Sequence, residues 1–477
     1  MRKSFFYTAL FATLSLLLSG CGGGALDRAI KQALVQGDTT AERLDDIVAL
    51  ITADKDSYGH LLAPDGTVDY QSLDTYVNDM AAKMRPPMHW NVAALAMPPL
   101  QLSIYLERSG SMVPYDRPGG RGLLKASVND LINAFPGKRD DVSLHIVNND
   151  IYPYQGSIDD FLQDRDIYAS TAGVGNPAYT DFGRILDRIL STQGPSEVSV
   201  LVTDLIYSPA DTKDLSIDKL LNEERSLVAS TFKKHEGKSV LVHQCVGDFD
   251  GKYYTYRGGA VDYRGERPYY LLFIASTPTL ERYVSSKGYA AAIASSMPRH
   301  RYWHGRAQQP VDWVVVPDWS DNAGRWRVSH DDHTRLTGVL PDRTTGVLRF
   351  TLAANLGALL LDDTTLTDST AYTVSSLTGF TLTVRRIEQS DITANNRPYL
   401  EGKTHLLTLT GAITAPRDEV TIALPNDLPE WSTACNATDD TQPTPTTTLG
   451  LVSFMAGLKT ALPGDDNYFT LHIKLEK

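Results

Sequence analysis

The stretch LSIYLERSGSM, residues 102–112, runs from an alternating apolar segment into Glu107, Ser109 and Ser111, three oxygen-bearing side chains at alternate positions. Two later stretches carry the same chemistry. NPAYTDFG sets Thr180 just ahead of a segment with helical apolar spacing, and VTDLI sets Asp204 at the end of an apolar run. Hydroxyls and carboxylates are hard oxygen donors. They suit a cation of the magnesium type, which takes oxygen ligands octahedrally and keeps several waters. Hydroxyls bind such an ion without neutralising it, so an acidic group on a partner can fill an open position. Ligands of an open parallel α/β sheet sit outside the carboxyl ends of its strands. The chemistry therefore requires Glu107, Ser109, Ser111, Thr180 and Asp204 to meet on loops at one such edge.

The flanking pattern supplies that sheet. From 100 to 300, near-continuous apolar runs (LQLSIYL, DDVSLHIVNN, EVSVLVTDLI, KSVLVHQCV, RPYYLLFIAS) alternate with helical ones (RGLLKASVNDLINAF, TDFGRILDRIL, SIDKLLNEERSLVASTFKKH). This predicts an α/β domain with a doubly wound, mostly parallel sheet covered on both faces. A short helical segment precedes it, with Thr39 and Glu42 read as a capping box. Past about 309 the pattern turns to short alternating strands, predicting a β-rich region of one or two antiparallel sandwiches interrupted by a helix at TLGLVSFMAGL. The expected division is 1–20 signal peptide, 21–95 linker and helices, 96–308 α/β domain, and 309–477 β-rich region.

Over residues 98–300 the chain resembles the von Willebrand factor type A fold and its metal-ion-dependent adhesion site. That family carries Asp-x-Ser-x-Ser after the first strand, often as DTSGSM, then a threonine before a helix, then an aspartate at a strand end, as in LLTDG. Here the matching pieces read ERSGSM, YTDFGRIL and LVTDLI. The resemblance implies a vWA-like, Rossmann-like sheet and a divalent ion, Mg2+ or Mn2+/Ca2+, held by Ser109, Ser111, Thr180 and Asp204. It departs at Glu107, which stands where the family has aspartate and reaches one methylene further. Asp181, beside Thr180, reads as a first-turn helix charge. Such a domain binds a protein or glycan partner; a metal-free scaffold of an envelope complex is the alternative.

The rest of the chain bounds its setting. A net charge of -12 gives no basic surplus for phosphates, which excludes nucleic acid, and no electrostatic pull toward anionic lipid. At the N-terminus, Arg2 and Lys3 precede the apolar run 5–18, which is too short to span a bilayer in the ordinary way. Leu18-Ser19-Gly20-Cys21 then resembles a bacterial lipobox, implying a lipidated Cys21, an anchored cell-envelope protein and, with Gly22 after the cysteine, the outer membrane. Multiple acyl chains suffice for stable anchoring. Cys245 and Cys435 are open to two readings, a disulfide in an oxidising envelope or buried thiols. SHDDH at 329–333 reads as a surface loop, Asp248 and Asp250 in GDFDGKYY as a turn, and the Tyr/Arg-rich 253–270 as an inserted hairpin with interface-type residues. No G-x-S-x-G, H-E-x-x-H, P-loop or CxxC pattern occurs, so a binding protein is expected and not an enzyme, with a triad assembled in space left open.

Overall fold

The computed structural model describes residues 24–63, 66–84, 88–95, 98–178, 180, 182–209, 215–297, 299–305, 311–462 and 466–477. The expected signal peptide, Cys21 and Asp181 lie outside the described residues. The chain divides into two compact units, Met1–Ala96 and Met97–Lys477.

In the first unit, α1 (Ala25–Gln36), α2 (Ala41–Ala53) and α3 (Tyr70–Ala81) each bury one apolar stripe. Leu26, Ile30 and Leu34 of α1 meet Leu44, Ile47 and Ile51 of α2 and Leu73 and Val77 of α3. The Tyr76 hydroxyl donates to Asp27 Oδ1 at 2.6 Å and ties α3 to α1. The cap of α2 is Thr40, which accepts from the Arg43 amide at 3.3 Å. Thr39 is one residue too early, because Thr40 is still extended and only Ala41 turns helical.

The second unit is built on a seven-stranded sheet in the order β3-β2-β1-β4-β6-β5-β7. Its strands are β1 (Gln101–Glu107), β2 (Val142–Val147), β3 (Ile151–Pro153), β4 (Glu197–Thr203), β5 (Lys238–Tyr254), β6 (Ala260–Ser276) and β7 (His300–Trp303). Alternation along β1 sends Leu102, Ile104 and Leu106 to one face, where Leu124, Val128 and Leu131 of α4 (Leu123–Ala134) cover them. It sends Tyr105 to the other face, with Ile185, Leu186 and Ile189 of α5 (Phe182–Thr192) and Val228 and Phe232 of α6 (Ile217–Lys233). The sheet is covered on both faces, as expected, but it is mixed and not mostly parallel. β1 pairs in parallel with β2 and β4. All other neighbours, β2–β3, β4–β6, β6–β5 and β5–β7, are antiparallel.

The cause lies in β5 and β6. They form one hairpin in unbroken register from Lys238↔Ser276 to Tyr254↔Ala260. A hairpin forces antiparallel pairing. The Tyr/Arg-rich segment is thus not a separate insertion: the two core strands run straight on into it. The turn over 255–259 closes through Thr255 N–H to the Gly259 carbonyl at 3.0 Å, with Gly258 left-handed at φ 78°. Asp248 and Asp250, expected in a turn, therefore lie within β5.

The remaining strands form two sheets, ordered β12-β15-β18-β10-β9 and β13-β14-β11-β8, and a short parallel pair, β16-β17. They are β8 (Trp313–Val315), β9 (Arg325–Val328), β10 (Arg335–Leu340), β11 (Leu348–Ala354), β12 (Thr373–Ser375), β13 (Phe380–Arg386), β14 (His405–Gly411), β15 (Arg417–Pro425), β16 (Asn436–Ala437), β17 (Thr448–Leu449) and β18 (Asn467–Glu476). Pairing in the two larger sheets is antiparallel apart from β10–β18. Phe350 and Leu352 of β11, Leu409 of β14, Ile422 of β15 and Ile473 of β18 share one buried cluster. That same cluster runs on to Leu102, Ile104 and Leu106 of β1, so residues 309–477 belong to the same compact unit as the sheet.

The helix expected at TLGLVSFMAGL forms as α7 (Leu451–Ala461). It joins the helical layer of the seven-stranded sheet: Phe454, Met455 and Leu458 pack with Phe182, Val228 and Phe232. Gly457 permits the close approach, since a Cβ there would lie 2.8 Å from Val228 Cβ. Cys245 and Cys435 are both buried free thiols, in clusters on opposite faces of the sheet. Burial pushes the Cys245 thiol up to about 12. We expect Phe454→Ala to cost about 3–5 kcal/mol in urea unfolding of the whole chain, with Leu377→Ala, 77% exposed, within about 0.5 kcal/mol. A Phe454 change that leaves the unfolding of the seven-stranded sheet untouched rules out the shared core.

Candidate functional site

β1 ends at Glu107 and β4 at Thr203, adjacent and parallel, so their carboxyl ends open onto one edge. Asp204 follows β4 directly. Glu107, Thr180 and Asp204 are 1, 2 and 1% exposed, and Ser109 is buried while Ser111 is half-buried. The Thr180 hydroxyl donates to Glu107 Oε1 at 2.6 Å, and Ser109 Oγ lies 3.0 Å from Ser111 Oγ. Thr180 forms an antiparallel bridge with Ser208, four residues after Asp204. The Gly110 amide donates to the Pro177 carbonyl at 2.9 Å and ties the serine loop to the loop ahead of Thr180. All five residues singled out in the sequence thus come from three loops that are bonded to one another at a single sheet edge.

Electrostatics set the chemistry. Burial, then the neighbouring Asp204 carboxylate, push the Glu107 carboxyl up to about 7, against the pull of the Thr180, Thr203 and Ser109 hydroxyls. Asp204 is raised by burial too, with Ser111, the Ile206 amide and the Arg267 guanidinium opposing. One oxygen on each, Glu107 Oε2 and Asp204 Oδ2, is buried with no hydrogen-bond partner. Such orphan acceptors are costly and rare. Two carboxylates and three hydroxyls fit a divalent cation in number, hardness and charge. Among the described residues no group of three His, Cys, Asp or Glu side chains is placed to hold a metal, so hydroxyls must contribute if one binds.

Several residues that frame the site gave little sequence signal. Arg108, within the ERSGSM loop, is buried and donates to Thr171 Oγ1 at 3.0 Å and the Tyr168 carbonyl at 2.9 Å, while Tyr168 donates to the Glu107 carbonyl at 3.2 Å. Leu205 is buried with left-handed backbone at φ 57°, a conformation that costs a non-glycine residue about 1 kcal/mol. Its amide donates to Thr203 Oγ1 at 3.0 Å, and the next amide, Ile206, donates to Asp204 Oδ1 at 3.1 Å. Arg267, at the edge of the apolar β6 run, is 2% exposed and stacks 4.4 Å from the Tyr253 ring centre. Its visible mark is a lone cation in a run that otherwise reads as core.

The weaker candidates lie elsewhere. His330 and Asp331 are exposed surface residues, and Asp332 pairs with Arg335 and Lys474. Asp248 accepts from the Arg121 amide at 2.7 Å and from Arg121 Nε at 2.8 Å, which leaves it committed to an ion pair. The chain matches no protein-family model, no curated protein and no solved structure.

The raised Glu107 carboxyl has a measurable sign. The native group keeps its proton up to about 7, the unfolded one releases it near 4.5. Its contribution to stability is full below about 4.5 and is lost as pH rises through about 7. In chelator-treated protein, Glu107→Gln should therefore gain stability relative to wild type as the pH is raised from 4.5 to 8. Urea unfolding at both pH values reads this difference, and a pH-independent gap contradicts it.

Proposed function

We propose that this chain is a lipid-anchored protein of the bacterial cell envelope that binds a partner through a divalent-cation site of the von Willebrand factor type A kind. Ser109, Ser111, Thr180, Asp204 and Glu107 hold the ion, Mg2+ or alternatively Mn2+ or Ca2+. The ion, when bound, would offer an electrophilic coordination position to a carboxylate or other acidic group on a protein or glycan partner. The observation that carries this reading is the pair of buried carboxylate oxygens, Glu107 Oε2 and Asp204 Oδ2, with no hydrogen-bond partner. Leu205 adds support, because its left-handed backbone stands where the resembled LLTDG pattern has glycine. The anchor rests on the lipobox resemblance at Cys21. No described helix is long and apolar enough to cross a membrane.

A second reading, a metal-free scaffold of an envelope complex, draws on the direct Thr180–Glu107 hydrogen bond at 2.6 Å. The longer glutamate reaches the threonine hydroxyl that would otherwise serve the ion, and a protonated Glu107 leaves the pair with one charge. Titration calorimetry with Mn2+ separates the two. On the cation reading wild type binds, and Ser109→Ala and Asp204→Ala each weaken binding by about tenfold or more, since even outer-shell changes reach that size. Equal heats from all three proteins leave only the scaffold. The anchor has its own test: palmitate labelling in a bacterial host should be lost in Cys21→Ser, and unchanged labelling removes the lipidation reading.

A further inference from the structure

The tip of the β5–β6 hairpin approaches the site at Gly110. A Cβ on Gly110, between the two serines, would lie 3.1 Å from a ring carbon of Tyr254 and 3.7 Å from the Pro177 carbonyl. Tyr254 thus stands where the serine loop meets the loop ahead of Thr180. It is 50% exposed, one of the few large hydrophobic side chains exposed among the described residues.

The hairpin that carries this exposed ring is held in place from behind. Its neighbour Tyr253 is 1% exposed and donates its hydroxyl to Asp440 Oδ2 at 3.2 Å, and the Tyr256 amide donates to the same oxygen at 3.1 Å. Asp440 lies in the 438–447 loop between β16 and β17. Arg267 pins that loop through the Thr444 and Thr447 carbonyls at 3.1 and 3.4 Å while stacking on Tyr253. Arg121 clasps the hairpin lower down, pairing with Asp248 on β5 and Glu266 on β6. A half-exposed aromatic on a braced hairpin beside a polar centre has the character of an interface anchor.

We propose, resting on the cation reading above, that Tyr254 is a specificity-determining residue of that site. It selects a partner polypeptide in which the carboxylate that meets the ion is flanked by a large apolar side chain packed on the Tyr254 ring. A ring fixed over the loop also gives a peptide side chain a face to stack on, at a spacing set by Gly110.

The test uses the full mature chain loaded with Mn2+ and two capped tripeptides, acetyl-Phe-Glu-Phe-amide and acetyl-Gly-Glu-Gly-amide. Paramagnetic broadening of the peptide glutamate protons reads weak binding. Wild type should hold the Phe peptide about threefold or more tighter than the Gly peptide. Tyr254→Ala should bring the ratio near one with Mn2+ affinity unchanged, and Tyr254→Phe should keep it. Equal affinities in wild type, a ratio that survives Tyr254→Ala, or no binding of either peptide overturns the inference. A wild type that takes up no Mn2+, seen before any peptide is added, overturns the cation reading itself and this inference with it. A preference for a free hexose over both peptides, read by competition, points to a glycan and also overturns it.

Discussion

Two carboxyl groups at the ends of adjacent parallel strands, Glu107 and Asp204, are almost entirely removed from water, and each keeps one oxygen without a donor. Two buried like charges repel in a medium that screens poorly, and desolvation of each costs several kcal/mol. The fold does not remove this penalty by apolar replacement. It surrounds the pair with neutral donors, the hydroxyls of Thr180, Ser109, Ser111 and Thr203, which soften the cost without cancelling the charge. The remaining imbalance admits a proton on Glu107 or a cation between the loops.

Much of the second unit acts to keep that pair in place. Arg108 and Tyr168 brace the serine loop from below, and the left-handed turn at Leu205 aims Asp204 back over the strand end with the Thr203 hydroxyl and Ile206 amide on either side. Arg267 brings the single buried guanidinium whose charge reaches Asp204, yet it is spent on backbone carbonyls and aromatic faces and forms no ion pair with it. A direct Arg–Asp bridge would neutralise Asp204 and close the site to a divalent ion. An arginine held at a distance tunes the carboxylate and leaves an oxygen open. The β-rich region contributes through Asp440, Thr444 and Thr447, which fix the hairpin that carries Arg267.

Local pattern carried the reading a long way. Buried strands such as β1 and β4 are nearly continuous apolar runs, and α5 shows its buried residues at i, i+3, i+4 and i+7, so the layers and the strand-end loops were legible. The placing of the five candidate residues at one sheet edge was legible too, because each lies at a strand or helix edge where polar side chains interrupt an apolar run. What local pattern does not encode is pairing. Nothing within KSVLVHQCV or RPYYLLFIAS tells whether the two strands join by a crossover or by one long hairpin, and the glycines and tyrosines between them read as an insertion. The antiparallel half of the sheet was missed for that reason. The same limit applies to Arg267, Tyr254 and Asp440, whose roles exist only through partners far away in sequence, and to α7, whose helical character was visible but whose docking on α6 was not.

Glutamate at 107 bears on both proposed readings at once. An aspartate at that position is one methylene shorter, and its carboxylate would stand farther from Thr180. The glutamate closes that gap: its Oε1 accepts the hydrogen bond from the threonine hydroxyl at 2.6 Å while Oε2 has no partner. The two oxygens therefore differ, one satisfied inside the protein and one buried without a donor. Without an ion, the second oxygen is the natural seat for a proton, which removes the repulsion from Asp204. With an ion, on the proposed reading, that proton must leave, since a cation and a proton compete for the same lone pair. The two proposed readings then differ in the occupant of one carboxylate, a proton or a cation.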